Sequence, residues 1–201
     1  AAISKGYLDI AKDLAEKQIR RYQPLLKKDV VLLGLEPSAI LSFRDEYPRL
    51  LRDEDQAVAN QLVGKAWLVE EFLVQAWHNG LIDASRFDQK SRHLLVHGHC
   101  HQKALAGIEP TLEALSIPTG HHVELIPSGC CGMAGSFGYE PEHFSTSIKV
   151  GELVLFPALR QAGKDQLVVA SGTSCRHQIL DGVNMRALHP VEVLSLALKP
   201  H

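Results

Sequence analysis

The sequence has no excess of charge of one sign and no long apolar run. Its 21 Lys and Arg residues nearly balance 23 Asp and Glu residues, which leaves a net charge of −2 and a pI near 6.6. This balance excludes the basic surface that nucleic-acid binding requires. The longest apolar stretches are about six residues, whereas a helix needs about 20 apolar residues to span a bilayer. The sequence therefore predicts neither a nucleic-acid partner nor a transmembrane segment.

Cysteine is scarce, and it is confined to the second half of the chain. The 201 residues include four cysteines, namely Cys100, Cys130, Cys131 and Cys175. Adjacent cysteines cannot easily bridge each other, and the spacing does not match a secreted disulfide framework. Histidine is abundant by contrast, with eleven residues that are concentrated between positions 93 and 143. The chemistry of this chain is therefore expected after residue 92.

Apolar segments that alternate with turn-forming residues predict an α/β fold. We expect strands at residues 29–35, 93–97, 122–126, 166–170 and 187–188. We expect helices at residues 3–22, 56–78, 102–115 (with a break at Gly107 or Pro110), 141–160, 175–180 and 191–198, and a loop or broken helix at residues 45–55. This order predicts a mainly parallel sheet flanked by helices on both faces, and it leaves room for an internal pseudo-repeat.

The length of the chain fits one α/β domain over residues 1–201. That domain has a cysteine-free first half, residues 1–90, and a cysteine-containing second half, residues 91–201. The sequence begins without methionine, and its first segment is amphipathic and charged rather than a signal peptide. We therefore expect a fragment of a longer chain.

Each cysteine site follows a predicted strand by a few residues. The carboxyl ends of parallel strands lie on one edge of a sheet, where ligands bind, so the four thiols are expected to meet there. Soft thiolates suit an iron–sulfur cluster or zinc. Gly129, Gly132 and Gly135 in the loop at 127–139 allow the backbone to approach a bulky inorganic group and to direct N–H groups at sulfur. The pattern favours an iron–sulfur site.

Zinc is an alternative occupant of this sheet edge. His97, His99 and His101 alternate along one strand-to-loop segment beside Cys100, and mixed Cys and His sites suit Zn²⁺. The short Cys-x-x-Cys pairing of zinc fingers is absent. The histidines on either side of Cys100 are also placed to flank a metal without binding it.

Thiol chemistry without a metal is a further alternative. Cys131 could act as a nucleophile with His99, His101 or His177 as its base. A thiol–disulfide module would instead pair Cys130 or Cys131 with Cys100 or Cys175. Arg176, next to Cys175, could bind a carboxylate or the negative charge of a cluster, or it could be a solvated surface residue.

Four sequence segments are more specific than the spacing of the cysteines alone. These are HGHCHQKA at 97–104, GCCGMAGSFGYE at 129–140, GTSCRHQI at 172–179 and HPVEVL at 189–194. Together they resemble the cysteine-rich CCG domain, which occurs in heterodisulfide reductase subunits and in the C-terminal iron–sulfur region of FAD-linked 2-hydroxyacid oxidases of the glycolate oxidase type. The segment at 35–50, LEPSAILSFRDEYPRL, fits the preceding part of that region, so the resemblance spans most of the chain.

The resemblance implies an iron–sulfur electron-transfer module of an FAD-linked oxidoreductase. FAD in a separate flavin domain or subunit would oxidise a 2-hydroxyacid such as glycolate, lactate or 2-hydroxyglutarate. A cluster in this chain, of the [4Fe-4S] type, would pass the electrons to an acceptor. The implied location is the cytoplasm, with peripheral association at the cytoplasmic face of the membrane left open. This fragment alone is not expected to be catalytically complete and has no assigned catalytic residue.

The resemblance also assigns residues to roles around the metal. It implies that Cys100, Cys130, Cys131 and Cys175 are cluster ligands or redox thiols. We expect His99 and His101, on either side of Cys100, to belong to the same metal site and to flank or tune it. We also expect five neighbouring residues to shape the loop or contact the cofactor, namely Gly129, Gly132, Gly135, Arg176 and His177.

The chain departs from the family that it resembles in three respects. Gly172 stands where the heterodisulfide reductase form has the first cysteine of a Cys-x-x-Cys pair. Ala39 follows the LEPS segment, where a cysteine often follows in this family, so one potential ligand is lost. A ferredoxin-type C-x-x-C-x-x-C-x-x-x-C-P run is absent.

Overall fold

The computed structural model describes residues 2–200, and the chain divides into two compact units, Ala1–Val69 and Glu70–His201. All four cysteines belong to the second unit. No helix within the described residues is both long enough and apolar enough to cross a bilayer.

The first unit is built from short helices and a small parallel sheet. The described helices are α1 (Leu8–Tyr22), α2 (Pro37–Ile40), α3 (Glu46–Leu50) and α4 (Asp53–Val63), with 3-10 turns at Ile3–Lys5, Gln23–Lys27 and Leu41–Phe43. The strands are β1 (Leu32–Gly34) and β2 (Ala66–Leu68). They pair in parallel from Leu32↔Ala66 to Gly34↔Leu68.

The prediction of one long helix at residues 56–78 is wrong. Helix α4 ends at Val63, strand β2 follows, and a new helix begins only at Val69. The Trp67 indole N–H donates to the Gly64 carbonyl at 2.9 Å, which satisfies a carbonyl at the helix end. Residues 66–68 then pair in parallel with β1. The single helix expected here therefore merged two helices and the strand between them.

Other boundaries also differ from the expected ones. Residues 45–55, expected as a loop or broken helix, contain α3 and the start of α4. The strand at 29–35 shortens to β1, and Leu33 in it is exposed rather than buried. The expected break near Gly107 is confirmed, because Gly107 adopts a positive φ of 75° between two helices.

The second unit alternates strands and helices. Its strands are β3 (Arg92–His97), β4 (His121–Leu125), β5 (Gln166–Ala170) and β6 (Ala187–Leu188). Its helices are α5 (Val69–His78), α6 (Cys100–Leu105), α7 (Glu109–Ser116), α8 (Pro141–Leu153), α9 (Leu155–Arg160), α10 (Thr173–Val183) and α11 (Pro190–Ala197). Two 3-10 turns lie at Ala84–Arg86 and Phe137–Tyr139. The helix expected at 141–160 is thus two helices, interrupted at Val154.

The four strands of this unit form one parallel sheet in the order β4-β3-β5-β6. The chain leaves β3 for β4 on one side and then crosses back to β5 on the other side of β3. The strand order therefore reverses between β3 and β5. In open α/β sheets this switch point opens a crevice at the carboxyl ends of the strands, where ligands bind.

Both faces of this sheet are covered. Leu95 and Val168 pack on one face with Phe156 of α9 and Ile179 of α10. On the other face, Leu94, Val96 and Val169 pack in a cluster with α7 and α11 residues, which include Leu115 and Val193. The expected α/β architecture, with helices on both faces of a parallel sheet, is confirmed. The internal pseudo-repeat stays a prediction.

A buried carboxyl group at the start of α5 makes stability depend on pH. Glu70 is 1% exposed, and neither carboxyl oxygen has a described hydrogen-bond partner beyond its own backbone N–H. Burial raises the pKa of Glu70 from 4.5 to about 7. The folded chain therefore keeps a proton that the unfolded chain releases, and stability falls as the pH rises from 4.5 through 7.

We predict that Glu70→Gln stabilises the protein at pH 8 by about 2–3 kcal/mol and changes its stability little at pH 4.5. The reason is that glutamine stays neutral where the buried glutamate must ionise. Urea unfolding at both pH values measures the difference. Glu71→Gln is the control, because it changes the same charge at a partly exposed neighbour. An equal gain at both pH values would show that ionisation of Glu70 is not the cause.

Candidate metal centre

Three loops bring the four cysteines to the carboxyl edge of the second sheet. Cys100 starts α6 just after β3, and Cys175 lies in the first turn of α10 just after β5. Cys130 and Cys131 lie in the loop that follows β4. Strands β3 and β5 lie on either side of the switch point, and β4 is the neighbour of β3. The convergence expected from the sequence is therefore what the fold produces.

The thiols form a continuous chain of side-chain contacts. Cys100 hydrogen-bonds with Cys130, Cys130 with Cys131, and Cys131 with Cys175. Cys131 and Cys175 are 3% and 2% exposed, whereas Cys130 is half-buried and Cys100 is exposed. All four are free thiols. The cluster of sulfurs therefore has a buried end and an end that faces solvent.

These contacts move the pKa values of the thiols in opposite directions. The thiols of Cys100 and Cys131 donate to Cys130 and hold its pKa well below the usual range. The Cys131 thiol and the nearby His97 imidazole lower the pKa of Cys175. Hydrogen bonds to thiolate neighbours raise the pKa of Cys100 and of Cys131. These contacts favour the thiolate form, which is the form that binds metals, at Cys130 and Cys175.

The glycine-rich loop supports the cysteine pair through its backbone. The Gly132 N–H donates to Cys130 Sγ at 3.3 Å. Gly132 has a φ of 99°, and a Cβ atom there would lie 2.1 Å from the Ser147 carbonyl oxygen of α8. Gly135 also has a positive φ, of 72°. A Cβ atom at Gly129 would meet nothing within 4 Å. Glycine is therefore required by packing at Gly132 and not at Gly129.

A lysine ties the loop after β4 to α6. Lys103 Nζ donates to the carbonyl oxygens of Ser128 and Gly129 at 2.5 and 2.7 Å. These bonds satisfy two loop carbonyls and hold the segment before Cys130 against the helix that starts at Cys100. The sequence pattern gave no signal for this role of Lys103.

His97 is the histidine that the structure places among the sulfurs. It is 1% exposed, Nδ1 lies 2.7 Å from Ser128 Oγ, and Nε2 has no described hydrogen-bond partner. The ring offers a nitrogen within 4.8 Å of the sulfurs of Cys131 and Cys175. The sequence raised His97 only under the zinc alternative. Strand periodicity could have singled it out, because it lies two residues after Leu95, which packs with the same cysteines.

Of the two histidines on either side of Cys100, His99 lies beside the sulfurs. His99 is buried and its ring lies against Gly172, where a Cβ atom would approach His99 Cδ2 to 2.3 Å and Cys175 Sγ to 3.3 Å. The ring centroids of His99 and His101 are 6.5 Å apart. Gly172 therefore lines the site, and a side chain there would displace His99.

Arg176 and His177 have structural partners on the same edge. Arg176 donates to the carbonyl oxygens of Ala170 and Ser171 at 3.0 and 2.7 Å, which braces the turn between β5 and α10. His177 Nδ1 lies 2.6 Å from the Tyr139 hydroxyl, which joins α10 to the end of the glycine-rich loop. The described contacts of Arg176 and His177 thus hold the loops that carry Cys131 and Cys175.

The donor set fits a soft metal centre. His97, Cys131 and Cys175 present three ligand atoms that lie within 4.8 Å of one another. Metal–sulfur bonds of about 2.3 Å in a tetrahedral site place ligand atoms about 3.8 Å apart, so the trio needs little movement. Cys130 contacts Cys131 and supplies a further sulfur. Soft thiolates of this kind select zinc or iron–sulfur clusters over hard cations.

The chain as a whole is similar to segments of larger dehydrogenases. It is 28% identical over 198 residues to D-2-hydroxyglutarate dehydrogenase of Escherichia coli (strain K12), which covers 97% of this chain and 18% of that protein. It is 27% identical over 200 residues to a subunit of the anaerobic glycerol-3-phosphate dehydrogenase of the same strain, which covers 98% and 48%. It is also 29% identical over 193 residues to D-2-hydroxyglutarate dehydrogenase of Pantoea ananatis (strain AJ13355), with coverage of 94% and 18%.

These similarities concern less than half the length of each of these relatives. No protein-family profile matches the chain, and no solved structure matches it significantly. The expected relationship to oxidoreductases that are longer than this chain is confirmed by whole-chain similarity to proteins named as dehydrogenases.

Proposed function

We propose that this chain is the iron–sulfur electron-transfer module of a larger FAD-linked 2-hydroxyacid oxidoreductase. The cluster ligands would be Cys100, Cys130, Cys131 and Cys175. The observation that carries the proposal is the series of pairwise contacts that links all four thiols at the switch point of the second sheet. The similarity to D-2-hydroxyglutarate dehydrogenases supports a 2-hydroxyacid as the electron source.

An iron–sulfur cluster at this site would accept and release single electrons. The buried end, Cys131 and Cys175, shields such a group from water. The Gly132 N–H and the positive end of the α10 dipole stabilise thiolate charge at Cys130 and Cys175. The exposed end, Cys100 and Cys130, gives electrons a short path to solvent-side partners.

The module needs partners for a complete reaction. A flavin domain or subunit would supply electrons from the 2-hydroxyacid, and a separate acceptor would receive them. The relatives have ample length for such parts, because this chain covers 18–48% of them. We place the module in the cytoplasm, with peripheral contact to the cytoplasmic membrane face where the acceptor is membrane-bound.

Anaerobic reconstitution with ferrous iron and sulfide tests the proposal. We expect iron and acid-labile sulfide in about equal amounts, and a low-temperature EPR signal that appears on reduction. Zinc binding without sulfide would favour the zinc alternative over the cluster. A chain that binds no metal and shows a disulfide between two of the four cysteines by mass spectrometry would instead be a thiol–disulfide module.

A further inference from the structure

His97 is a buried imidazole that lies beside the cysteine sulfurs and has one ring nitrogen engaged in a hydrogen bond. Nδ1 is bonded to Ser128 Oγ at 2.7 Å, and Ser128 is itself fixed because its carbonyl accepts from Lys103. Nε2 is fully buried and has no partner of ordinary hydrogen-bond geometry among residues 2–200, although the ring lies close enough to Cys175 to lower the pKa of that thiol. A buried polar atom in this state costs free energy, on the order of 1–3 kcal/mol, unless something satisfies it.

Its position on β3 places the His97 ring on the face of the sheet that carries Cys131 and Cys175. Side chains alternate along a strand, so His97 shares a face with Leu95, which packs in one cluster with Cys131 and Cys175. The imidazole contributes a ligand atom within 4.8 Å of both sulfurs. Because Nδ1 is engaged by Ser128, Nε2 is the nitrogen that can face the centre.

We propose that His97 is a ligand of the metal centre, binding through Nε2 beside the sulfurs of Cys131 and Cys175. This inference rests on the proposed function, since the same thiols are the cluster ligands there. Metal-binding histidines almost always hydrogen-bond through their other ring nitrogen, and Ser128 Oγ supplies that bond here. The centre is then a mixed cysteine and histidine site, with the imidazole at its buried end.

His99 does not take this role, although it is buried and its Nδ1 also lacks a described partner. It lies outside the group of three ligand atoms that includes His97. Its ring packs against Gly172, so it flanks the centre from the β5 side.

Pulsed EPR on chain labelled with ¹⁵N-histidine tests the assignment. The labelled wild-type chain and an unlabelled sample are reconstituted anaerobically with iron and sulfide, and the cluster is then reduced. We expect a strongly coupled nitrogen whose signal changes with the label and disappears in His97→Ala. His121→Ala is the matched control, because His121 is 9% exposed, Nδ1 lies 2.8 Å from the Leu115 carbonyl oxygen, and Nε2 is equally unpartnered.

His97→Cys separates loss of a ligand from loss of packing. It should bind the cluster without the nitrogen coupling, and its reduction potential should fall because thiolate replaces neutral imidazole. Replacement of cysteine by histidine in Rieske centres raises the potential by the same logic. The wild-type labelling experiment stands even where a His97 variant fails to fold.

The outcomes separate this inference from the proposed function. Iron and sulfide without a strongly coupled nitrogen would overturn His97 ligation and leave the electron-transfer proposal in place. If no cluster forms, X-ray absorption of the Zn²⁺-loaded chain decides. Nitrogen at about 2.0–2.1 Å beside sulfur at about 2.3 Å, with the nitrogen lost in His97→Ala, would support His97 and overturn the cluster. Zn²⁺ held by sulfur alone, or no metal at all, would overturn His97 ligation as well.

Discussion

Replacing Cys131 with serine should abolish metal binding and leave the fold of the chain intact. Cys131 is 3% exposed and contacts both Cys130 and Cys175, so it is the central link in the chain of sulfurs. A serine hydroxyl is a hard donor that stays protonated, whereas this centre needs a soft thiolate. We expect C131S to retain less than about a tenth of the wild-type iron and sulfide after reconstitution. Its stability without metal should fall by about 1–2 kcal/mol.

Cys100→Ser is the matched comparison for that variant. Cys100 is exposed and contacts the sulfur chain at its end, through Cys130. We expect Cys100→Ser to reduce metal content in part and to leave stability without metal unchanged. Circular dichroism shows whether each variant is folded, and metal analysis gives the occupancy. Full iron and sulfide in a folded C131S chain would mean that Cys131 is not a ligand.

The placement of the cysteines could be predicted because it depends on topology alone. Cys100, Cys131 and Cys175 each follow a strand that reads clearly from its apolar, β-branched residues. Once those strands are parallel, their carboxyl ends must share an edge, whatever the details of packing. The fold class and the meeting of the thiols follow from this step without knowledge of any side-chain contact.

The orientation of individual rings could not be predicted in the same way. His97 points at the sulfurs because Ser128, 31 residues later, holds its Nδ1. A sequence pattern carries no information about such a pair. The same limit explains the false helix at 56–78, since residues 66–68 become a strand only through pairing with β1. Non-local partners override local propensity in both cases.

Gly132→Ala is the backbone change with the largest expected effect. A positive φ of 99° strains any residue that carries a Cβ atom, and that atom would lie 2.1 Å from the Ser147 carbonyl oxygen. The carbonyl cannot easily move, because Gln178 of α10 donates to Ser147 at both its carbonyl and its hydroxyl oxygen, at 3.2 and 2.9 Å. Strain and overpacking together predict a loss of about 3–5 kcal/mol, measurable by urea unfolding.

The same substitution should also remove the metal, because the loop must shift to relieve the contact. That shift would break the hydrogen bond from the Gly132 N–H to Cys130 Sγ, which is 3.3 Å long. It would also displace the neighbouring Cys131. Gly129→Ala is the control from the same loop, since its added methyl group would meet no atom within 4 Å. We expect Gly129→Ala to change stability by less than about 0.5 kcal/mol. Equal losses in the two variants would mean that general loop flexibility, and not the contact of Gly132 with α8, positions the cysteine pair.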